Sequence, residues 1–451
     1  MSGRRETLGS TRGVPDQVVC HVDMDCFYAA CERLREPALR GEPLVVGMGY
    51  ESGDRHGAVA TASYEAREFG VESAMAIGEA LELLPRKVDA ARESDLDVDQ
   101  AGFYRPVDLD YYEEVAAEVK RVLHDHAQVV SEVSIDEAYL DVTDRVRWRG
   151  QSTFDAGDGT SEDETETGAG TSEDRPTVEA FARDLKSRIE ADVGVVASVG
   201  VAPTMSAAKV ASDHDKPDGL VVVEPGEVRE FLAPMAVEEI HNVGPVTARE
   251  LREMGIETAA DLADADPDAL AERFGERGLE VRRFARGEDP REVEPVGDPK
   301  SLSRESAFTE ATDDSEAKRE RVRSLAADVA DRAEREGALY QTIGIKVVEP
   351  PFDVNTRADS LPGPVQNAEL VRETALSLLE EFEDSEVRKL GVRVSNRSFA
   401  EGEQSSLGGF EGSTAGRSES TNEGETEAED GSGSDRPSAS GGWVQTVLSD
   451  F

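Results

Sequence analysis

The stretch Val129-Val130-Ser131-Glu132-Val133-Ser134-Ile135-Asp136-Glu137-Ala138-Tyr139-Leu140-Asp141-Val142 sets two adjacent carboxylates, Asp136 and Glu137, in an otherwise apolar run. Side chains on a regular strand alternate between faces, so neighbouring acids reach one point only where the strand bends. Two readings stand: a hairpin tip with two solvated acids, or one half of a metal site. A second acidic cluster in another apolar strand, His21-Val22-Asp23-Met24-Asp25, favours the metal site. Two such strands side by side supply oxygens for a pair of Mg²⁺ ions, which prefer carboxylate and phosphate ligands.

The chain has 451 residues, enough for three or four domains, and carries 96 Asp+Glu against 49 Lys+Arg for a net charge of -47. Three explanations compete: an acidic disordered protein, a partner of basic proteins, or a soluble protein of a salt-loaded cytoplasm. The acidic excess runs through periodic segments as well as loops, and Arg far outnumbers Lys, which favours the halophile. At about 1 M salt the Debye length is roughly 3 Å, so dense carboxylates keep a protein soluble without strong self-repulsion. Cys20, Cys26 and Cys31 form no CxxC pair and fit a reduced, cytoplasmic setting. Residues 1–16 contain Arg4 and Arg5 without an apolar run, so no signal peptide is expected. The longest uncharged run, Val193 to Ala208, is broken by Gly200 and Pro203, and no membrane span is expected.

From Gln17 to Val22 the chain is β-rich and then turns helical; Pro43 to Gly47 and Ala58 to Ser63 read as strands, and Tyr64 to Gly70 as a helix. Tyr111 to Asp125 and Val178 to Asp192 have helical periodicity; Val195 to Gly200 reads as a strand before a helix over Ser206 to Ser212. This is an α+β order. Four stretches carry a resemblance: Asp23-Met24-Asp25-Cys26-Phe27-Tyr28-Ala29, Ala60-Thr61-Ala62-Ser63-Tyr64-Glu65-Ala66-Arg67, Ser134-Ile135-Asp136-Glu137-Ala138-Tyr139-Leu140-Asp141 and Lys216-Pro217-Asp218-Gly219. In this order and spacing they resemble the Y-family, lesion-bypass DNA polymerases of the polymerase IV class, over about residues 17–398.

The resemblance implies a multidomain α+β right hand. Palm residues would be 17–27 and 102–222, fingers 28–101 with an enlarged connection over 88–103, a helical thumb 223–297, and a little finger 298–399. Gly150 to Pro176 and the tail 400–451 are rich in Gly, Ser, Thr and acids, too poor in apolar residues to offset ordering entropy, and are expected to be disordered. Val237 to Ala263 reads as helix, turn, helix, and resembles the family's helix-hairpin-helix. Backbone N–H groups at Val243, Gly244, Val246 and Thr247 would hold a DNA phosphate without reading sequence. Asn242 replaces the usual glycine there and tolerates left-handed angles better than most residues. Lys300 to Phe399 reads as a βαββαβ little finger lying on the duplex backbone.

By the same resemblance Asp23, Asp136 and Glu137 are the catalytic carboxylates. With the Met24 carbonyl they ligate two Mg²⁺ ions, and Asp25 stands between ligand and support. Tyr64, Arg67 and Lys216 would contact the triphosphate of an incoming dNTP, and Tyr28, beside Phe27, would be the gate that rejects a ribose 2′-hydroxyl. Each of these taken singly has a plainer reading as surface residue or core aromatic. Primer–template DNA is the implied partner of what is expected to be a monomer of low fidelity and low processivity. Gln404, Leu407 and Phe410, and again Gln445, Leu448 and Phe451, fit Gln-x-x-aliphatic-x-x-aromatic and resemble sliding-clamp-binding peptides. At molar salt counterion release no longer drives DNA binding, so tethering to a clamp gains weight. A non-catalytic scaffold and a palm-like nucleotide cyclase are the rival readings. Intact acids and phosphate-binding residues disfavour the first, and the thumb and βαββαβ patterns have no obvious use in the second.

Overall fold

A computed structural model describes residues 17–92, 97–149, 175–297 and 299–399, and the chain divides into two compact units, Met1–Asp298 and Pro299–Phe451. The insertion Gly150–Pro176, apart from Arg175 and Pro176, lies outside the described residues, as do Glu93 and Asp95 and both clamp-like peptides.

The first unit opens with β1 (Val19–Met24), α1 (Phe27–Arg35), β2 (Leu44–Met48), β3 (Ala58–Ala62), α2 (Tyr64–Arg67), α3 (Ile77–Leu83), α4 (Lys87–Ala90) and β4 (Phe103–Pro106). Then follow α5 (Leu109–His126), β5 (Val129–Glu132), β6 (Glu137–Asp141), α6 (Val178–Val193), β7 (Ala197–Ala202), α7 (Met205–His214) and β8 (Leu220–Val222). Strands β5-β6-β1-β7-β8 form one sheet, with β1 central and antiparallel to β6 and β7. Alternation sorts β1: Val18, Cys20, Val22 and Met24 enter a core with α5 and α6, while Val19 enters a second core with α7. His21 and Asp23 share the parity of Val19 and so face α7. Burying Leu123, Leu185 and Ile189 under this sheet contributes about 1.5–3 kcal/mol each.

A three-stranded sheet, β3-β2-β4, packs its own core around Val45, Val59, Ile77 and Leu84. Four short elements here, α3, α4, β4 and the turn at Val98–Gln100, fall where sequence periodicity is too brief to register. Helix formation at Tyr64 stops after four residues rather than continuing to Gly70.

Beyond β8 the chain is helical: α8 (Val228–Leu232), α9 (Pro245–Glu253), α10 (Ala259–Asp264), α11 (Pro267–Phe274) and α12 (Glu276–Ala285). The first helix expected from Val237 is only a 3-10 turn, Val237–Glu239, because Ile240 leaves helical angles (ψ 134) and its carbonyl accepts from Val243 N at 3.0 Å. Asn242 takes the left-handed conformation (φ 68) that its side chain tolerates.

The second unit is β9 (Ser301–Thr312), α13 (Ser315–Arg335), β10 (Ala338–Glu349), β11 (Asp353–Val365), α14 (Ala368–Leu379) and β12 (Val387–Phe399), the expected βαββαβ order. Its antiparallel sheet runs β11-β10-β12-β9. The strands outrun their apolar cores, since β11 is largely exposed and meets the core mainly through Leu361 and Val365. Fully buried Lys318 ties α13 to the end of the second helix, donating to the carbonyls of Phe382, Glu383 and Ser385 at 3.0, 2.6 and 2.8 Å.

Candidate active site

Asp23 and Glu137 stand directly opposite each other on β1 and β6, on the face that looks towards α7. Asp136 precedes β6 in a bend. There its carbonyl accepts from Met24 N at 2.9 Å, and its carboxylate accepts from Ser134 Oγ at 2.6 Å. The bend that adjacent acids require is thus present. Burial pushes the Asp136 carboxyl above the usual range despite Ser134, and the charges of Asp23 and Glu137 add to the push.

Helix α7 lies hard against β7 at Gly200, where a Cβ would come within 2.2 Å of Ala208 O and Ser212 N. No other residue fits there. The close approach delivers Lys209, whose Nζ lies 2.8 Å from Asp23, 3.1 Å from Glu137 and 3.3 Å from Asp213. Lys216, two residues past the helix, reaches Asp23 at 2.7 Å and Asp213 at 2.6 Å. Burial opposes the charge on Lys209, but Asp23, Glu137 and Asp213 reverse this and raise its pKa. Burial alone would raise Glu137; His21 and Lys209 instead hold it well below the usual carboxylate range. His21 is fully buried, with Nδ1 2.8 Å from Ser212 Oγ and Nε2 3.5 Å from Glu137, an ion-pair distance rather than a hydrogen bond.

Among the described residues no three His, Cys, Asp or Glu side chains converge tightly enough to hold an ion. The donor set nonetheless fits a hard divalent cation. Asp23 and Glu137 face each other across β1 and β6 with Asp136 in the adjoining bend, and the ammonium groups of Lys209 and Lys216 beside Asp23 place positive charge against these oxygens.

Asp25 turns away from this cluster. It accepts from Ser198 Oγ at 3.0 Å, from Tyr64 OH at 3.1 Å and from Asp218 N at 2.8 Å, so one carboxylate fixes both the start of α2 and the loop after Lys216. Burial lifts its pKa against those three donors. Arg67 lies over the Tyr64 ring at 4.9 Å and donates to Ala62 O at 3.1 Å, with no carboxylate partner among the described residues. Cys26, left-handed at φ 47, makes the sharp passage from β1 into α1.

Three family models cover this architecture: the impB/mucB/samB family over residues 22–213, its helix-hairpin-helix motif over 225–256, and its C-terminal domain over 299–407. A DNA polymerase IV of the halophilic archaeon Halobacterium salinarum is 56% identical over 411 residues, 91% of this chain and 92% of that protein. One from Methanoculleus marisnigri is 37% identical, over 84% and 94% of the two chains. The chain belongs to the Y family of DNA-directed DNA polymerases, in its polymerase IV class. Among solved structures it is similar to a Y-family chimera of Dbh and Dpo4 (27% identity, TM-score 0.67) and to an insertion ternary complex of Dbh DNA polymerase (26%, 0.56). Each match covers 85% of this chain and 100% of the other.

In this Y-family chain Phe27 is buried in the core shared with α5 and α6, and Tyr28 is half-buried beside it. Tyr28 stacks on Tyr112 with centroids 4.6 Å apart and 24° between planes, and burial, with Asp136, pushes its hydroxyl up to about 12. Tyr112 donates to buried Glu32 at 2.8 Å. In the helical region no side chain caps α9, whose first turn holds Val246 and Thr247 after Gly244, whereas the Val243 amide is already bonded to Ile240. Lys209, Asp213, His21, Ser198 and Tyr112 were not singled out from sequence. Lys209 alone left a trace, as the charge that ends the uncharged run Val193–Ala208.

Proposed function

We propose that this polymerase carries out translesion synthesis, adding dNTPs to a primer 3′ end opposite damaged template bases, with low fidelity and low processivity. The observation that carries the reading is the pairing of Asp23 with Glu137 across β1 and β6, with Asp136 in the adjoining bend and two lysines delivered to them. Asp23, Asp136 and Glu137, with the Met24 carbonyl, would hold two Mg²⁺ ions, which when bound activate the 3′-hydroxyl and neutralise the pyrophosphate leaving group.

The chain's own residues do the rest. Lys216 offers an ammonium that a triphosphate can share with Asp23, and Arg67 offers a guanidinium not committed to a carboxylate among the described residues. Tyr64, held by Asp25, presents its ring and hydroxyl beside Arg67. Tyr28, backed by Tyr112, is placed to exclude the 2′-hydroxyl. The uncapped start of α9 offers the Gly244, Val246 and Thr247 amides to a DNA phosphate. The palm, fingers, thumb and little-finger boundaries follow as the sequence divides them. A cytoplasmic monomer that works in high salt and is tethered to a sliding clamp completes the reading. No helix among the described residues is long and apolar enough to cross a membrane.

Primer extension on undamaged and abasic templates in concentrated KCl with Mg²⁺ tests this function. Insertion opposite the abasic site is expected; extension that always halts before it contradicts the translesion reading.

A further inference from the structure

On the four-stranded sheet of the second unit, Leu302, Ile345, Leu390 and Val392 join the core under α13 and α14. By alternation Glu305, Lys346, Lys389 and Arg393 belong to the opposite, open face. Glu305 on β9, Gly391 on β12 and Lys346 on β10 form one row across three strands. Gly391 puts no side chain between the other two. The Glu305 carboxylate therefore accepts from Lys346 Nζ at 2.9 Å through one oxygen and from Lys389 Nζ through the other. Burial opposes the charge of Glu305, yet the two ammonium groups hold its carboxyl below the ordinary range.

This arrangement runs against the composition around it. In a chain of net charge -47, the central rows of this face gather three cations, and one carboxylate then occupies two of them. Partly exposed cross-strand pairs of this kind add little to stability, on the order of a few tenths to 1 kcal/mol. Their effect on an approaching polyanion is larger, because each phosphate must take an ammonium from Glu305 or settle for a pair whose charge is already halved.

We infer that Glu305 is a built-in competitor for the phosphates of duplex DNA: it occupies two of the lysines with which this face meets the backbone, and so lowers both the affinity and the salt sensitivity of DNA binding. The inference rests on the proposed reading in which this unit lies on the duplex.

The test is anisotropy of a labelled primer–template titrated with the full chain across a KCl series. Glu305→Gln is expected to tighten binding by about three- to tenfold at low salt and to steepen the log–log salt slope by roughly 1 to 2, near 0.9 for each phosphate gained. In a Lys346→Gln/Lys389→Gln background the same change is expected to alter binding by less than about twofold, since no lysine is left to release. Glu305→Asp, too short to span both ammonium groups, is expected to fall between wild type and Glu305→Gln, and serves if the Gln variant does not fold. A folded Glu305→Gln that binds no tighter, an equal gain without the lysines, or an Asp variant that binds more weakly than wild type would overturn the inference. Wild-type protein that neither binds primer–template nor extends it would instead defeat the polymerase reading itself.

Discussion

Tyr28 has a ring behind it, Tyr112, and Tyr112 is anchored in turn by a 2.8 Å hydrogen bond to a carboxylate that is itself buried. In its proposed role as a gate Tyr28 must resist being pushed aside, and this stack supplies the resistance. Tyr28→Ala is expected to raise ribonucleotide insertion relative to deoxynucleotide insertion by roughly ten- to a hundredfold, the range a single pocket contact carries, measured as the ratio of the two kcat/KM values. Unchanged sugar discrimination would remove the gate role. Tyr28 and the carboxylates could be singled out because each lies in a short contiguous stretch, Asp23 to Ala29 or Ser134 to Asp141, that carries the family resemblance. Tyr112, Ser198 and Lys209 could not, because each meets the site through tertiary packing from 72 or more positions away. Asp25 shows the intermediate case, since its position was evident but its turn towards Tyr64 and Asp218 required the fold.

At the level of elements, α7 carries most of what the sequence hid. Its direction depends on Gly200 beneath it and on Asp289 at its start. Thr204 caps the helix through Ala207 N, and Asp289, from the segment after α12 with its side chain buried, accepts from Ser206 N at 2.9 Å while gripping Arg291 through both oxygens at 2.8 Å. Burial pushes the Asp289 carboxyl up, but Arg291 and the Ser206 amide pull it below the usual range. A depressed folded pKa gives stability that is present in full above the ordinary aspartate value of about 3.9 and is lost as pH falls through the folded value. Asp289→Asn is therefore expected to cost about 1–3 kcal/mol at neutral pH and to flatten the acid limb of the stability curve, read by denaturant unfolding at several pH values. An equally steep acid limb in the variant would contradict this. The βαββαβ order was readable because its helices and strands each have an apolar face. The helical region was misjudged at Val237 because two apolar residues three apart, Val237 and Ile240, suit a helix and a single 3-10 turn equally well.

For the whole molecule, net charge and site charge separate. A value of -47 describes the surface, whereas the lysines at Asp23 and those at Glu305 are local exceptions placed by packing. Weak electrostatic attraction to DNA at high salt gives the tail's peptides their proposed use as tethers. Deleting residues 445–451 is expected to weaken association with the sliding clamp by about tenfold or more while clamp-independent extension continues. Loss only on deletion of Gln404 to Phe410 would shift the contact to the inner peptide. The most direct test of the central claim is primer extension by Asp23→Ala and Asp136→Ala variants in concentrated KCl, with DNA binding measured in parallel. Binding that persists while extension disappears is the predicted result, and substantial extension by either variant would contradict the assignment of these carboxylates.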